Sequence, residues 1–260
     1  MTDGVLGTLH QKRDETMRNG ETNVQSWQGK SIRVSVLYSR AGVAQHIWIE
    51  SESGSILIDA GDGLLRDLVS NRLAPNQIRG IIFTHGHFDH VGGLHSLLGF
   101  FRMKGREELL PIYAPKECKE VFSIVNNFIR CYPDTIPFKI SCRGVQAQQV
   151  FQIADMMIKA YPVVHFGSIN GSGILNQIPA MGYRISHKGE TIAISGDTGI
   201  CPSLKELVKG ADLAVLEATY QKSAKVSKEL LEKVHLSEDL AQEIGKSAKD
   251  FILVHKGKRE

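Results

Sequence analysis

The feature that most constrains this chain is a cluster of metal-ligating side chains at the end of an apolar segment. The segment Gly80-Ile81-Ile82-Phe83 has the character of a buried strand, and Thr84-His85-Gly86-His87-Phe88-Asp89-His90 follows it directly. Imidazole nitrogens and carboxylate oxygens are zinc ligands, and one loop carrying both can serve two adjacent ions. The loop therefore predicts a metal-dependent hydrolase, with His85, His87, Asp89 and His90 as candidate ligands.

The composition limits the class of protein but not its substrate. The 260 residues are 42% hydrophobic and 23% charged, which fits a globular domain with a sizeable core. A net charge of +3 does not by itself predict a nucleic-acid-binding protein, although a local basic face is compatible with it. The sequence has no apolar leader, no stretch of transmembrane length and no C-x-x-C pair among its four cysteines. We therefore expect a cytoplasmic protein with reduced thiols and no membrane partner.

Hydrophobic periodicity predicts strands with interspersed helices. Residues 1–30 are polar and weakly periodic, so we expect a loosely ordered N-terminal extension, followed by a single metallo-hydrolase domain over residues 31–260. The predicted strands are 31–38, 45–50, 55–59, 81–84, 111–113, 181–186, 191–195, 213–216 and 251–254, with 132–164 mainly β. The predicted helices are 62–71, about 91–98, 115–129, 202–208 and 236–247. Two sheets with helices outside them fit this pattern better than one doubly wound sheet.

Three more ligand-type residues follow apolar, β-rich runs. His165 follows Val163-Val164, Asp197 follows Ile194-Ser195-Gly196, and His255 follows Ile252-Leu253-Val254. Loops at strand ends can converge on one edge of a sandwich, where a rigid scaffold positions them. With the histidine loop, these residues supply five imidazoles and two carboxylates, which is enough for two zinc ions and an open position for water.

At these residues the chain resembles the metallo-β-lactamase fold superfamily, whose signature H-x-H-x-D-H is matched at residues 85–90. The preceding Leu57-Ile58-Asp59-Ala60-Gly61 is similar to the usual turn of that superfamily before its first helix. The second half is most similar to the ribonuclease Z group. The matching segments are Gly182-Tyr183-Arg184-Ile185, Ser195-Gly196-Asp197-Thr198, Ala211-Asp212-Leu213, Leu216-Glu217-Ala218-Thr219 and His235-Leu236-Ser237.

The resemblance implies a four-layer αββα sandwich of the α/β (α+β) class and a binuclear hydrolase, most simply a phosphodiesterase. It places one ion on His85, His87 and His165, and the other on Asp89, His90 and His255. Asp197 would bridge the ions, which would share a hydroxide nucleophile. Asp89 is expected to be catalytic as well as a ligand, and Glu217 with His235 to form the proton donor to the leaving group. Two Zn²⁺ are the expected cofactors, with Mn²⁺ or Fe²⁺ as alternatives. Asp59 is expected to hold a ligand histidine by its other nitrogen.

The chain departs from the ribonuclease Z pattern in two places. Residues 166–196 contain only a small loop, 167–173, where the common enzymes of that group carry a long tRNA-binding arm. The small loop could cradle a phosphate through its amides or be a plain hairpin tip. Tyr38-Ser39-Arg40-Ala41-Gly42 replaces the group's Leu-Gly-Thr-Gly start. The basic residues Lys256, Lys258 and Arg259 form either a solvated end or a contact for an anionic substrate.

Several functions therefore remain open. The expected substrate is a small-molecule phosphodiester or an RNA, and a homodimer is compatible with the sequence. The first alternative is the same scaffold acting on a small ester, thioester, lactone or cyclic phosphate, which the short 166–196 interval favours. A mononuclear iron enzyme with an oxidative task would need fewer ligands, and a non-catalytic binding module would be expected to have lost some.

Overall fold

The chain folds into two facing β-sheets with helices on both outer sides. The structure is a computed structural model that describes residues 24–169, 173–222 and 224–257. Apolar side chains fill the space between the sheets. One further apolar cluster lies between the first sheet and its helices, and another lies between the second sheet and its helices. This is the four-layer αββα sandwich of the mixed α/β class that the resemblance implies, and the predicted fold class is confirmed.

The first sheet, as far as the described residues define it, has seven strands in sequence order. Strands β1 to β4 are antiparallel, and β4 to β7 run parallel to one another. Their bounds are Gln25–Gln28 (β1), Arg33–Arg40 (β2), Ala44–Ser51 (β3), Gly54–Ile58 (β4), Ile78–Ile82 (β5), Leu110–Pro115 (β6) and Ile140–Val145 (β7).

The second sheet contains six strands within the same described ranges, in the order β15-β14-β13-β12-β9-β8. Strands β13, β14 and β15 are parallel, whereas β12, β9 and β8 are added antiparallel. A separate antiparallel hairpin, β10–β11, lies between β9 and β12 in the chain. The bounds are Val150–Ile153 (β8), Met156–Pro162 (β9), Phe166–Ile169 (β10), Gly173–Gln177 (β11), Met181–His187 (β12), Glu190–Ile194 (β13), Leu213–Glu217 (β14) and Asp250–Val254 (β15).

Alternation along the strands produces the layers. In β4, Ile56 and Ile58 face the second sheet, and Leu57 faces the helices on the outer side. Residues of α1 (Leu64–Ser70), α3 (Leu94–Met103) and α4 (Lys119–Cys131) cover the first sheet. Residues of α5 (Pro202–Val208) and α7 (Glu238–Gly245) cover the second sheet. Two short helices, α2 (Phe88–Val91) and α6 (Lys228–Lys233), lie in connecting segments.

One predicted helix is divided in the structure. The prediction of a helix over about 91–98 is wrong in its bounds, because α2 ends at Val91 and α3 begins at Leu94. The chain between them passes close to the segment after β4. The Gly93 amide donates to the Ala60 carbonyl over 2.8 Å, and a Cβ at Gly93 would lie 2.3 Å from the Gly61 carbonyl oxygen. Only glycine permits this approach, which fixes α2 against the end of β4.

Other differences concern short elements. Residues 1–23 of the expected N-terminal extension lie outside the described residues, whereas Gln25–Gln28 pair with β2, so the sheet begins before the predicted boundary at residue 31. The loop predicted at 167–173 belongs to the β10–β11 hairpin, and its residues 170–172 lie outside the described residues. Lys258 and Arg259 of the basic end also lie outside them. Among the described residues, no helix is both long and apolar enough to cross a bilayer.

Candidate metal centre

The first sheet contributes four ligand-type side chains through one connection. Strand β5 ends in the core at Ile82, and Phe83 continues the ladder by donating its amide to the Tyr113 carbonyl over 2.8 Å. The chain then turns, so that His85 and His87 lie in the loop, and Asp89 and His90 lie on α2. Parallel strands end at the same edge of a sheet, and this loop lies at that edge.

The second sheet contributes its residues from four different strands. His165 follows β9, Asp197 follows β13, Glu217 ends β14, and His255 follows β15. Each of these side chains is at least 98% buried. The two sheets therefore bring their functional edges together, and all seven predicted ligands lie in one cluster, which we call the metal cluster.

Four of these residues form a first group, in which one ligand atom from each lies within 4.8 Å of the others. The group consists of His85, His87, His165 and Asp197. His165 Nε2 lies 3.2 Å from His87 Nδ1, and His85 Nε2 lies 3.8 Å from Asp197 Oδ2.

A second group is formed by Asp89, His90 and His255. His255 Nε2 lies 3.2 Å from Asp89 Oδ2 and 3.4 Å from His90 Nε2. Asp197 Oδ2 lies 3.4 Å from both His90 Nε2 and His255 Nε2. Asp197 thus stands between the two groups, which matches the division that the resemblance implies.

The histidines are held so that one nitrogen of each faces the cluster. His90 Nδ1 donates to Asp59 Oδ2 over 2.8 Å, as expected for Asp59, and His165 Nδ1 donates to the Val234 carbonyl over 2.8 Å. The Thr84 hydroxyl donates to Asp59 and therefore accepts from His85 Nδ1 at 3.1 Å. These contacts direct Nε2 of all three rings at the cluster, which is the nitrogen that a metal ion would bind.

Burial keeps the first group in the form that binds metal. Desolvation lowers the pKa of His85 well below its usual value, lowers that of His87, and lowers that of His165 to about 3. These imidazoles are therefore neutral at physiological pH, and their lone pairs are available to a cation.

The second group has a different electrostatic character. Burial alone would lower the pKa of His90, but the carboxylates of Asp197 and Asp59 outweigh it and raise that pKa well above its usual value. Burial would likewise raise the pKa of Asp197, but the surrounding histidines, His255 first among them, lower it well below the usual range. A cation bound here would take the place of the proton on His90, so metal affinity in this group depends on pH.

Two buried polar atoms without hydrogen-bond partners indicate whether a metal ion fits the metal cluster. Within the described residues, Asp197 Oδ1 and His85 Nε2 are buried and have no hydrogen-bond partner. Buried polar atoms without partners are costly and uncommon in native proteins. A cation at the cluster would accept a lone pair from each, and the set of nitrogen and oxygen donors suits Zn²⁺, Mn²⁺ or Fe²⁺. The residues therefore fit a metal cofactor.

A histidine–carboxylate pair lies beside the metal cluster. His235 Nδ1 donates to Glu217 Oε1 over 2.9 Å. The amides of Thr198 and Leu236 donate to the same oxygen, and the amide and hydroxyl of Thr219 donate to Oε2. Five donors hold the buried carboxylate, so the direction of the His235 ring is fixed.

His235 is placed to hold a proton near the metal cluster. Its ring centroid lies 5.0 Å from that of His165 and 5.5 Å from that of His255, and its side chain is 15% exposed. Burial lowers its pKa, but the Glu217 carboxylate outweighs burial and raises the pKa to about 9. His235 is therefore protonated at neutral pH, as a general acid must be.

Sequence reasoning gave no role to several residues that position the second group. The Gly42 amide donates to Asp89 Oδ2 over 2.8 Å, and the His255 amide donates to Ser39 Oγ over 2.6 Å. His255 Nδ1 donates to the Thr219 hydroxyl, which lies 2.9 Å away. These residues do lie in segments that the sequence analysis singled out: Thr219 in Leu216-Glu217-Ala218-Thr219, and Ser39 and Gly42 in Tyr38-Ser39-Arg40-Ala41-Gly42. Their partners, however, are distant in sequence.

A further cluster of ligand-type residues lies outside the metal cluster, where three hairpin turns meet. Asp155 accepts from Ser51 Oγ at 2.7 Å and contacts His187 Nε2 at 2.9 Å, while Lys188 pairs with Glu52. Lys188 already pairs with one of the two carboxylates of this cluster, that of Glu52. We interpret it as a latch between the two sheets rather than a cation site.

Comparison with known proteins places the chain among metallo-β-lactamase folds. Residues 55–255 match the family described as beta-lactamase superfamily domain. Ribonuclease Z of Bacillus subtilis is 26% identical over 248 residues, which cover 80% of this chain and 79% of that protein.

Two solved structures are similar in fold. The short form of human tRNase Z superimposes with a TM-score of 0.71 at 21% identity, covering 87% of this chain and 93% of that one. The metallo-beta-lactamase fold protein YhfI of Bacillus subtilis superimposes with a TM-score of 0.70 at 19% identity, covering 89% of this chain and 88% of that one.

Proposed function

The chain belongs to the β-lactamase superfamily and is a metal-dependent hydrolase related to ribonuclease Z; within that class, we propose that it cleaves phosphodiester bonds with two divalent ions. The resemblance predicted from the histidine loop is thereby confirmed at the level of the family. Binuclear chemistry, zinc as the resident metal, and the roles of individual residues are the proposal.

The observation that carries the phosphodiester assignment is the Glu217–His235 pair beside the metal cluster. An alkoxide leaving group needs a proton as its bond to phosphorus breaks, and a protonated imidazole oriented by a carboxylate can donate it. His235 donates its Nδ1 proton to Glu217, so its Nε2 proton is the one that would pass to the leaving oxygen. Glu217 keeps the imidazolium in place and stabilises its charge.

The metal ligands would be the seven residues of the metal cluster. His85, His87 and His165 would hold one ion, Asp89, His90 and His255 the other, and Asp197 would contact both. When bound, the ions supply a lowered pKa for the attacking water and positive charge for the phosphate oxygens. Asp89, whose Oδ2 accepts from the Gly42 amide and lies 3.2 Å from His255 Nε2, would also help to orient the attacking water.

The test compares leaving groups in phosphodiesters with the metal content monitored. His235→Ala should lower kcat by roughly 10²–10⁴-fold for an alkoxide leaving group, and much less for p-nitrophenolate, which leaves without a proton. Glu217→Gln should follow the same pattern more weakly, because it only orients the imidazole. Neither variant should lose metal.

Two controls make the result decisive. His95→Ala alters a histidine that packs on Phe128 in the helical layer, and it should change neither rate. A loss in His235→Ala that is equal for both leaving groups would remove the general-acid role, and with it the main support for phosphodiester chemistry.

A further inference from the structure

The side chain of Thr219 connects the Glu217–His235 pair with the second metal group. Thr219 is half-buried and lies just after the end of β14. Its hydroxyl oxygen lies 2.9 Å from Glu217 Oε2 and 2.9 Å from His255 Nδ1. The other carboxylate oxygen, Glu217 Oε1, accepts from His235 Nδ1 over 2.9 Å. Three hydrogen bonds therefore run in series from the ring of a proposed metal ligand to the ring of the proposed proton donor.

The direction of these hydrogen bonds follows from what each group can donate. When Nε2 of His255 binds an ion, the ring proton lies on Nδ1 and is donated to the Thr219 oxygen. The hydroxyl has one proton of its own, and two acceptors lie near it: Glu217 Oε2 and the His255 carbonyl, which is 3.1 Å away. The carboxylate is the closer acceptor and carries the charge, so it receives the proton.

Burial makes this series of hydrogen bonds sensitive to changes at its ends. The side chains of Glu217 and His255 are 0% and 2% exposed. In such surroundings, a hydroxyl that accepts one hydrogen bond donates the next one more strongly. A change at Nε2 of His255 therefore alters how strongly Thr219 donates to Glu217, and with it how the carboxylate holds the His235 ring. The other approach of His235 to the second group is longer, because its Nδ1 lies 3.9 Å from Asp197 Oδ2, beyond hydrogen-bond distance.

We propose that Thr219 is a positioning residue that couples occupancy of the second metal group to the orientation of His235. The proton donor is then held most firmly when the second group is filled, which joins the two parts of the site that the reaction requires together. This inference rests on the proposed function. It adds a residue that is neither a proposed ligand nor a proposed proton donor.

The first experiment compares leaving groups at saturating metal. Thr219→Val keeps the shape of the side chain and removes the hydroxyl. It should lower kcat about tenfold for an alkoxide leaving group, a part of the roughly 10²–10⁴-fold that a general acid contributes, and less than about threefold for p-nitrophenolate. Thr219→Ser keeps the hydroxyl and should retain most of the activity toward both substrates. Circular dichroism verifies the fold, and Thr219→Ala is a second variant without the hydroxyl.

Ser39→Ala is the matched control, because Ser39 contacts the same proposed ligand from another side. Its Oγ accepts from the His255 amide over 2.6 Å and donates to Gln45 rather than to Glu217. At saturating metal, any loss of activity in Ser39→Ala should be equal for both leaving groups. If Thr219→Val also affected both leaving groups equally, Thr219 would only support the second group, and the proposal would be overturned.

A measurement of metal affinity tests the coupling without a substrate. Competition with a chromogenic chelator should show the second binding step about tenfold weaker in Thr219→Val than in the wild type. Glu217→Gln alone should weaken this step about threefold, while the fully loaded protein keeps its metal content. In the Thr219→Val background, Glu217→Gln should have a clearly smaller effect, because only the through-space attraction of the lost charge remains. An equal effect in both backgrounds would overturn the coupling.

The two experiments also separate this inference from the proposed function. Coupling in the affinity measurement, with no phosphodiester hydrolysed, would overturn the phosphodiesterase and support the role of Thr219. Hydrolysis of phosphodiesters, with independent effects of Glu217→Gln and Thr219→Val on metal affinity, would overturn the role of Thr219 and leave the phosphodiesterase intact.

Discussion

At the scale of single residues, Asp197 has the most demanding position in the molecule. Its Oδ2 lies within 4.0 Å of a nitrogen from each of five histidines, while its Oδ1 is buried without a partner. A carboxylate so placed can contact an ion in each group, which makes it the residue that decides whether the centre is binuclear.

We predict that Asp197→Ala loses most activity and at least one metal equivalent while keeping the fold. Wild-type protein should contain about two equivalents of zinc or manganese per chain by elemental analysis. Removing the shared carboxylate should lower that content, because both groups lose a ligand. Circular dichroism on the same sample reports the fold.

The matched control for this prediction is Asp212→Ala. Asp212 also lies at the end of a connecting segment in the second sheet, where it accepts from the Thr191 amide and pairs with Lys249. It should keep full metal content. Full occupancy and unchanged turnover in Asp197→Ala would remove Asp197 from the site.

The ligand-type residues could be predicted because their chemistry is specific and their positions recur after apolar runs. Asp59 could also be predicted as a partner of a ligand histidine. The Val234 carbonyl that orients His165 could not, because a backbone carbonyl carries no side-chain signal and its partner is 69 residues away. Such contacts become visible only when strand order and register are known.

At the scale of elements, the turn between β2 and β3 supports the second group from outside. Ser39 Oγ accepts from the His255 amide and donates to Gln45 Oε1 over 2.6 Å, and the Ala41 amide donates to the Lys256 carbonyl over 3.2 Å. His255 has φ of 52°, a left-handed conformation that costs energy in a non-glycine residue. The turn therefore holds His255, a proposed ligand, in its strained conformation.

We predict that Ser39→Ala weakens one of two metal-binding steps and spares the other. The variant removes the acceptor for the His255 amide, so the second group should bind its ion roughly tenfold more weakly, as outer contacts of metal ligands do elsewhere. The first group has no contact with Ser39 in the described residues and should keep its affinity. Competition with a chromogenic chelator measures both steps.

Ser35→Ala on the same strand is the control, since Ser35 lies on β2 opposite Trp48 and away from the turn. It should leave both steps unchanged. Equal weakening of both steps in Ser39→Ala would mean that the turn supports the whole fold rather than the second group.

Element bounds were predicted to within one residue for α5, β12 and β13, whereas α4 begins four residues after the predicted start at residue 115. The bounds of an element could not be predicted where a single tertiary contact of the backbone determines where it begins or ends. Gly93 divides a continuous helical pattern, because its approach to Ala60 and Gly61 is a tertiary contact. The short helix α6 was missed, since six exposed or half-buried residues carry little hydrophobic pattern.

At the scale of the whole molecule, the metal cluster joins the two sheets. The loop after β5 and helix α2 supply four of the proposed ligands from the first sheet, and the second sheet supplies the other three, His165, Asp197 and His255. Layer order could be predicted from the alternation of apolar residues. Which strands of the second sheet are parallel could not, because parallel pairing depends on crossover connections rather than on local pattern.

We predict that metal binding stabilises the folded chain substantially. An ion that binds only the folded state adds about 4 kcal/mol when its free concentration is 1,000-fold above Kd, which for a chain of this size is about 8–16 °C in Tm. Thermal unfolding with and without a chelator measures the shift. Asp155→Ala, which weakens the latch between the hairpin turns, should lower Tm in both conditions by a similar amount. If the chelator removes the ions and lowers Tm by less than about 2 °C, the ions do not stabilise the folded chain by joining the two sheets.

The size of the substrate is the last consequence of the architecture. Between His165 and Asp197 the described chain contains the short hairpin β10–β11 and the strands β12 and β13, and the described part offers no extended arm for gripping a folded RNA. Small phosphodiesters and unstructured oligonucleotides would need no such arm, because the metal cluster and His235 would contact only the groups near the scissile bond. Folded tRNA would be held by scattered lysines and arginines, whose phosphate contacts weaken steeply with salt.

We therefore predict that a single-stranded oligonucleotide with the sequence of a pre-tRNA 3′ end is cleaved at least as efficiently as the intact pre-tRNA. Raising salt from about 50 to 200 mM should reduce pre-tRNA binding by about tenfold or more. The measurement is kcat/KM for both RNAs, with the cleavage position mapped by electrophoresis. Accurate 3′ cleavage of pre-tRNA that stays strongly preferred at the higher salt would show that this scaffold recognises folded RNA without an arm.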